Sequence, residues 1–247
     1  ARCLQSIRNQ TYKNIEVLVI DALSSDDTQG ISSELGAQVI TLDGERTRAK
    51  NIGLLRSKGE FVFFVDSDME LEPCTIEECI KKCSKDASIA GVIVPERSVG
   101  QGFWVRVRDF ERSFYAGSAI ESARFFKKKF VLLAGGFDEN YVFYEESTLH
   151  QKIEGMGANV SARISSNILH HEEDFNLRKW LRKKKYYIDS AKEYSKKYPK
   201  YAQLQTSIGY RMSLFTADGK WKRLVRHPVL AIGVFILKGL ELFCSRH

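Results

Sequence analysis

Two aspartates stand one residue apart at the end of an apolar run: FVFFVDSDME, residues 61–70, places Asp66 and Asp68 on either side of Ser67. Like charges that close repel, and burial makes the repulsion worse. Two arrangements relieve it. Either the strand ends and both carboxylates are solvated, as aspartates at strand ends and turns commonly are, or a divalent cation sits between them, because hard cations such as Mg²⁺ and Mn²⁺ take carboxylate oxygens. A third carboxylate, Asp21, closes another apolar run, IEVLVID (15–21). Glu145 and Glu146 open a helical pattern in YVFYEESTLHQKIEGMG, where the positive end of the helix dipole alone is reason enough for acids.

The elements that must position these groups alternate. The opening ARCLQSIRNQ reads as a helix end, and strands are expected over 15–21, 37–42, 60–66 and 89–95. Helices are expected after ALSSDDT to about Leu35, over 45–57 with Ala49, Ile52 and Leu55 on one face, and over 75–84 behind Pro73. Strand and helix in alternation indicate an α/β fold with a parallel-type sheet, whose ligands gather at the carboxyl ends of strands. Asp21, Asp66 and Asp68 all fall there. Past residue 96 the pattern loosens: GFWVRVRDFERSFY reads as a helix or an irregular segment, RFFKKKFVLLAGGF ends in a Gly-Gly turn, and ANVSARISSNILHHEE gives a strand ending at His170 and His171.

The chain of 247 residues is 43% hydrophobic and 28% charged, ordinary for a folded domain, so long disorder is not expected. Its charge is uneven. Residues 173–247 hold 17 Lys+Arg against 6 Asp+Glu, while residues 1–172 are net acidic by four charges. A basic tail suits anionic lipid, nucleic acid or a phosphorylated substrate. The five cysteines form no C-x-x-C pair, and their odd number suits reduced thiols in an intracellular compartment; Cys79 and Cys83, one helical turn apart, are read as buried helix fillers.

Three segments, in order, resemble family 2 glycosyltransferases of the GT-A fold over most of residues 1–172. SIRNQTYKNIEVLVIDALSSDDT resembles the family's S-x-x-x-Q-T-Y-x-N-x-E and V-V-D-[DN]-x-S-x-D-x-T. RAKNIGLLRSKGEFVFFVDSD resembles A-R-N-x-G-x-x-x-A-x-G-E-[YF]-[IV]-x-[FL]-x-D-x-D. GGFDENYVFYEESTLHQKIEGMG resembles G-G-[FY]-D-E followed by the E-D element. The resemblance implies a mixed, mostly parallel, Rossmann-like sheet flanked by helices, and inverting transfer of a sugar from a nucleotide diphosphate sugar. It implies that Asp66 and Asp68 bind Mn²⁺ or Mg²⁺, that Asp21 lies near the nucleotide base, and that Lys50, in place of the more usual Arg, approaches the diphosphate beside Asp66. It puts Glu146 at the position of the base, where the family usually has Asp, with Glu145 as the neighbouring acid. It matches His170 to a third metal ligand, with His171 as the fallback, and Trp104 and Arg124 to acceptor-side elements. Ala22 replaces the family's second strand-end acid. The family's first strand, ending in P-[TA]-[YF]-N, has no counterpart, so the sequence is expected to be N-terminally truncated.

The tail is expected to be a separate helical region, residues 173–247, after a catalytic domain of residues 1–172. LRKWLRKKKYYIDSAKEYSKKY (177–198) is amphipathic, and six of eight positions from Arg178 to Lys185 are basic. A second cluster, KWKRLVRH, precedes VLAIGVFILKGLELFC (229–244), which is shorter than the ~20 residues of a spanning helix and contains Lys238 and Glu241. An interfacial or packing helix is expected, with the enzyme peripheral at the cytoplasmic face of an anionic membrane and acting on a lipid-linked or glycan acceptor. Competing readings are a catalytically silent glycan-binding relative and a sugar-phosphate nucleotidyltransferase, the latter disfavoured by the lack of a Gly-rich phosphate loop. Nucleic acid is not expected as a partner, because no RRM, KH or zinc pattern is present.

Overall fold

A computed structural model describes residues 1–141, 144–173 and 175–246; Val142, Phe143, Asp174 and His247, and the side chains of Ile188, Asp189, Ser190, Lys200, Cys244, Ser245 and Arg246, lie outside that description. The chain runs α1 (Arg2–Arg8), β1 (Leu18–Asp21), α2 (Thr28–Glu34), β2 (Gln38–Thr41), α3 (Arg46–Arg56), β3 (Phe61–Phe63), β4 (Met69–Leu71), α4 (Thr75–Lys85) and β5 (Gly91–Ile93). There follow β6 (Glu96–Val99), α5 (Phe103–Tyr115), β7 (Phe125–Lys127), α6 (Lys128–Leu133), α7 (Glu145–Gly155), β8 (Ala162–Arg163) and β9 (Ile168–His171). Helices then continue: α8 (Leu177–Tyr186), α9 (Ile188–Lys197), α10 (Pro199–Thr206), α11 (Ile208–Thr216), α12 (Trp221–Arg226) and α13 (Pro228–Arg246).

Two compact units divide these elements: Ala1–Pro95 with Ser122–Leu169, and Glu96–Glu121 with His170–His247. The boundary differs from the expected break at residue 172. Helix α5 groups with the C-terminal helices because its apolar face, Val107, Phe110 and Phe114, is buried with Phe215, Val234 and Leu237.

In the first unit β1 pairs with β2 in parallel, Leu18 opposite Gln38 through Asp21 opposite Thr41. The larger sheet has the order β3-β7-β5-β8 and is mixed: β7 is antiparallel to both β3 and β5, and β8 is parallel to β5. Strand β7 was not anticipated from the sequence. It is three residues long and runs straight into Lys128 and Lys129, so it shows neither the length nor the alternation of an exposed strand. Its two phenylalanines nevertheless obey the strand period. Phe126 enters a core layer with Val62, Leu149 and Ile153, whereas Phe125 enters the opposite layer with Ile76, Cys79, Cys83 and Val92. Helix α7 therefore covers one face of the sheet and α4 the other. Cys79 and Cys83 fill core space as expected, and burial pushes both thiols above their ordinary pKa.

Regular strand is shorter than the apolar runs suggest. At 60–66 the ladder covers Phe61–Phe63 and is extended by Phe64, whose N–H bonds the Arg124 carbonyl at 3.1 Å. The chain then turns, with Met69 N–H donating to the Asp66 carbonyl at 3.1 Å. Asp66 and Asp68 thus lie on a tight turn between β3 and β4, Asp66 half-buried and Asp68 exposed.

The second unit is helical apart from β6 and the end of β9. The expected single stretch 177–198 is two helices, α8 and α9, parted at Tyr187. Helix α13 approaches α5 closely at Gly233, where a Cβ atom would stand 2.5 Å from Val107 Cγ2. On its inner side Lys238 pairs with Glu111 and, at 2.7 Å, with Glu241, which also meets Lys184 at 3.1 Å. Among the described residues no helix is long and apolar enough to cross a membrane.

Two measurements test this packing. Gly91 of β5 would bring a Cβ to 2.8 Å from Phe126 Cδ1 and 3.0 Å from Val160 Cγ1, so Gly91→Ala is expected to lower stability by about 1–3 kcal/mol in chemical denaturation. Burial alone would raise the pKa of Glu241, but Lys184 and Lys238 outweigh it and hold it at about 2. A depressed carboxylate contributes stability above its unfolded pKa, ordinarily 4.5, and loses it as pH falls toward 2. Thermal melts of Glu241→Gln are expected to fall less steeply than wild type across that window.

Candidate active site

The charged residues of α3 and α7 meet because two other side chains of α3 clasp the loop leading into α7. Arg46 and Lys50 are one helical turn apart, and so are Thr47 and Asn51 beside them. Thr47 Oγ1 donates to the Tyr141 carbonyl at 2.7 Å. Asn51 brackets Phe137, accepting from its N–H at 2.8 Å and donating to its carbonyl at 3.0 Å, and also reaches Glu139 at 2.8 Å. Gly136 must be glycine for this: its φ is +71°, and a Cβ there would fall 2.6 Å from Asn51 Oδ1. The segments RAKNIG and GGFDEN are two halves of one clasp.

With the loop held, α7 begins at Glu145 and Glu146 directly against α3. Lys50 Nζ lies 3.1 Å from Glu145 Oε1 and 2.8 Å from Glu146 Oε1. Arg46 joins Glu145 at 2.9 Å. Arg124 is buried and reaches two acids at once, Glu146 Oε1 at 2.7 Å and Asp66 Oδ2 at 3.4 Å. Its backbone explains this placement: the Arg124 carbonyl accepts from Phe64 of the β3 side, and its N–H donates to Val92 of β5 at 3.2 Å. Arg124 immediately precedes the inserted strand, and its side chain bridges the Asp66 turn and the start of α7. Burial opposes the charge on Lys50, but Glu146 and Glu145, with Asp66 farther off, outweigh it and raise its pKa.

Asp21 is buried at the end of β1 and keeps local company. It accepts from Ser24 N–H at 3.3 Å and from Gln29 Nε2 at 2.8 Å, and hydrogen bonds from Ser24 and Gln29 lower its pKa. Leu23, two residues on, has φ 58°, and Tyr144, just before Glu145, has φ 70°. Left-handed non-glycine residues cost energy and cluster where a side chain must be aimed. Here two of them adjoin candidate site residues.

The structure brings Lys50, Asp66, Glu145 and Glu146 into one network, with Asp68 on the same turn as Asp66. His170 belongs to the second unit, where its Nδ1 is 3.0 Å from Arg112 and 3.8 Å from Glu96. His171, in the same unit, lies 3.5 Å from Glu173. Among the described residues no group of three or more His, Cys, Asp or Glu is gathered as for a metal ion. Trp104 packs edge-on against Phe103 at 5.1 Å beside the core of the second unit, a packing role. The bridging part played by Arg124 and the presence of Arg46 were not legible as such. The spacing of Arg46 and Lys50 was the available signal for the latter; for Arg124 there was none without β7.

Residues 1–138, more than half of the chain, match the model of the family described as Glycosyl transferase family 2. The chain belongs to that family. A curated relative, GalNAc(5)-diNAcBac-PP-undecaprenol beta-1,3-glucosyltransferase of Campylobacter jejuni, is 27% identical over 61% of this chain and 48% of its own length. The chain spans about half or less of the curated relatives it matches most strongly. Among solved structures it is similar to the mannosyltransferase PcManGT of Pyrobaculum calidifontis in complex with GDP-Man and Mn²⁺, with TM-score 0.64, 18% identity, and coverage of 96% of this chain and 70% of that one. It is also similar to S. aureus TarS 1-349 in complex with UDP-GlcNAc, with TM-score 0.57, 15% identity, and coverage of 99% and 84%. These likenesses establish the expected mixed α/β glycosyltransferase fold.

The network makes a stability prediction independent of catalysis. Lys50→Met leaves Glu145 and Glu146 against each other with one cation fewer, and is expected to cost about 3 kcal/mol in urea unfolding. Lys50→Arg keeps the charge and is expected to lose much less.

Proposed function

We propose that the chain carries the catalytic part of an inverting glycosyltransferase, which moves a sugar from a nucleotide diphosphate sugar to a lipid-linked or glycan acceptor with help from Mn²⁺ or Mg²⁺. The observation that carries the reading is the bridge from Asp66 through Arg124 to Glu146, which sets a candidate cation site beside a candidate base. Family membership supports it. So do the ligands of the similar structures, GDP-Man with Mn²⁺ in one and UDP-GlcNAc in the other. The undecaprenol-linked substrate named for the C. jejuni relative favours a lipid-linked acceptor.

The donor set fits a hard divalent cation. Asp66 and Asp68 offer carboxylate oxygens on a turn where Asp68 is exposed, and such ions are commonly held by one or two carboxylates with substrate phosphates and water completing the shell. When bound, the ion neutralises charge on the departing diphosphate. The chain's own groups supply the rest. Glu146 accepts the proton of the acceptor hydroxyl as its oxygen bonds the anomeric carbon and the bond to the diphosphate breaks on the opposite face. Lys50 and Arg124 hold Glu146 Oε1 at 2.8 and 2.7 Å. An anionic diphosphate would compete with Glu146 for these two cations, so donor binding and the placement of the base are coupled. Glu145, held by Arg46 and Lys50, keeps α7 in place, and Asp21, fixed by Ser24 and Gln29 at the end of β1, is assigned to the nucleotide-base side of the site.

Release of nucleoside diphosphate from UDP-, GDP- and dTDP-sugars, with and without Mn²⁺, is the direct assay. Glu146→Gln is expected to lower kcat by about 10²–10⁴-fold with donor binding retained, and Asp68→Ala to weaken the response to Mn²⁺. If neither substitution changes turnover, the site assignment is wrong; if no donor is turned over at all, the silent glycan-binding reading replaces it.

A further inference from the structure

Helix α13 is built inside out. In a helix on the surface of a soluble domain the charges face water and the apolar stripe faces the core. Here the two charged residues of its long apolar stretch, Lys238 and Glu241, turn inward to Glu111 and Lys184, beside the packed Val234 and Leu237. The opposite face carries Val229, Ile232, Phe235, Ile236 and Phe243, all exposed, and no charged side chain among them. Trp221 is exposed on the preceding helix. Among the described residues this outer face is apolar, and an exposed apolar patch marks a contact surface.

The surroundings of the patch identify the partner. Helix α8, joined to α13 through Lys184 and Glu241, presents exposed Arg178, Lys179, Arg182 and Lys185, and α12 presents exposed Lys222 and Arg226. Apolar side chains on a helix whose neighbours α8 and α12 expose cations, with an exposed tryptophan on α12, complement the acyl boundary and anionic headgroups of a bilayer. A second copy of the chain fits poorly, because two-fold pairing of this face brings the same cations together. We propose that the outer face of α13 lies in the surface of an anionic membrane, with Val229, Ile232, Ile236 and Phe243 seated among the acyl chains and the basic residues of α8 and α12 on the headgroups. This deepens the reading of a lipid-linked acceptor and also stands without it, since vesicle binding with no sugar transfer would remove that reading alone.

Flotation of the full chain with phosphatidylglycerol/phosphatidylcholine vesicles, against phosphatidylcholine alone, tests it. Wild type is expected to float with the anionic vesicles and to be released by salt. The double substitution Ile232→Glu, Ile236→Glu, at exposed positions, is expected to weaken binding by roughly tenfold or more. A blue shift of tryptophan fluorescence on adding anionic vesicles to wild type provides a second reading that does not depend on any variant folding. Absence of both flotation and shift, or undiminished flotation of the folded double variant, overturns the proposal. So does a dimer in light scattering that the double variant dissolves while wild type ignores vesicles, which would make the face a contact between copies.

Discussion

Crowded negative charge is the constraint on which the first unit depends. The fold directs Asp66, Glu145 and Glu146 toward a common place, and in a poorly hydrated setting such a group repels itself strongly. Three cations answer it: Arg46 and Lys50 from one face of α3, and Arg124 from just before β7. Lys50 and Arg124 are each nearly buried and shared between two acids, whereas Arg46 is exposed and pairs with Glu145. Strand order matters here for an electrostatic reason as well as a packing one. The antiparallel insertion between β3 and β5 places Arg124 where its side chain reaches both Asp66 and Glu146.

A network of this kind neutralises its carboxylates with shared cations, and in the proposed reaction the same cations would face the anionic diphosphate. The strained turns at Leu23 and Tyr144 fit that view, because each sits one or two residues from an acid whose direction matters. The clasp of Thr47 and Asn51 on residues 137–141 supplies the rigidity that such strain needs.

Much of this was legible in the chain, and the gaps have physical causes. Long apolar runs gave away β1, β3 and β5, although each run outlasted its regular ladder because hydrophobic burial continues past the last paired residue, as at Phe64. Helix α5 was ambiguous because arginines interrupt its apolar face, yet Arg108 and Arg112 are paired with Glu172 and Glu96 and fit that face without cost to the pattern. Strand β7 was hidden, since a three-residue strand buried on both faces has no alternation to read. The acids of the candidate site were visible by position, whereas their cationic partners required the topology. The orientation of Lys238 and Glu241 could not be read at all: a charged pair three residues apart looks the same whether it faces water or a buried glutamate.

The anchoring of Arg124 has a dynamic corollary. Its main chain is stitched to a neighbour on each side, so this arginine is a fixed post. The entrance to α7 is moored instead by side-chain bonds from Thr47 and Asn51. Any relative motion of Arg124 and the acids of α7 is therefore limited by the Thr47 and Asn51 bonds to residues 137–141 and by the glycine pair at 135–136, where the backbone occupies the left-handed region.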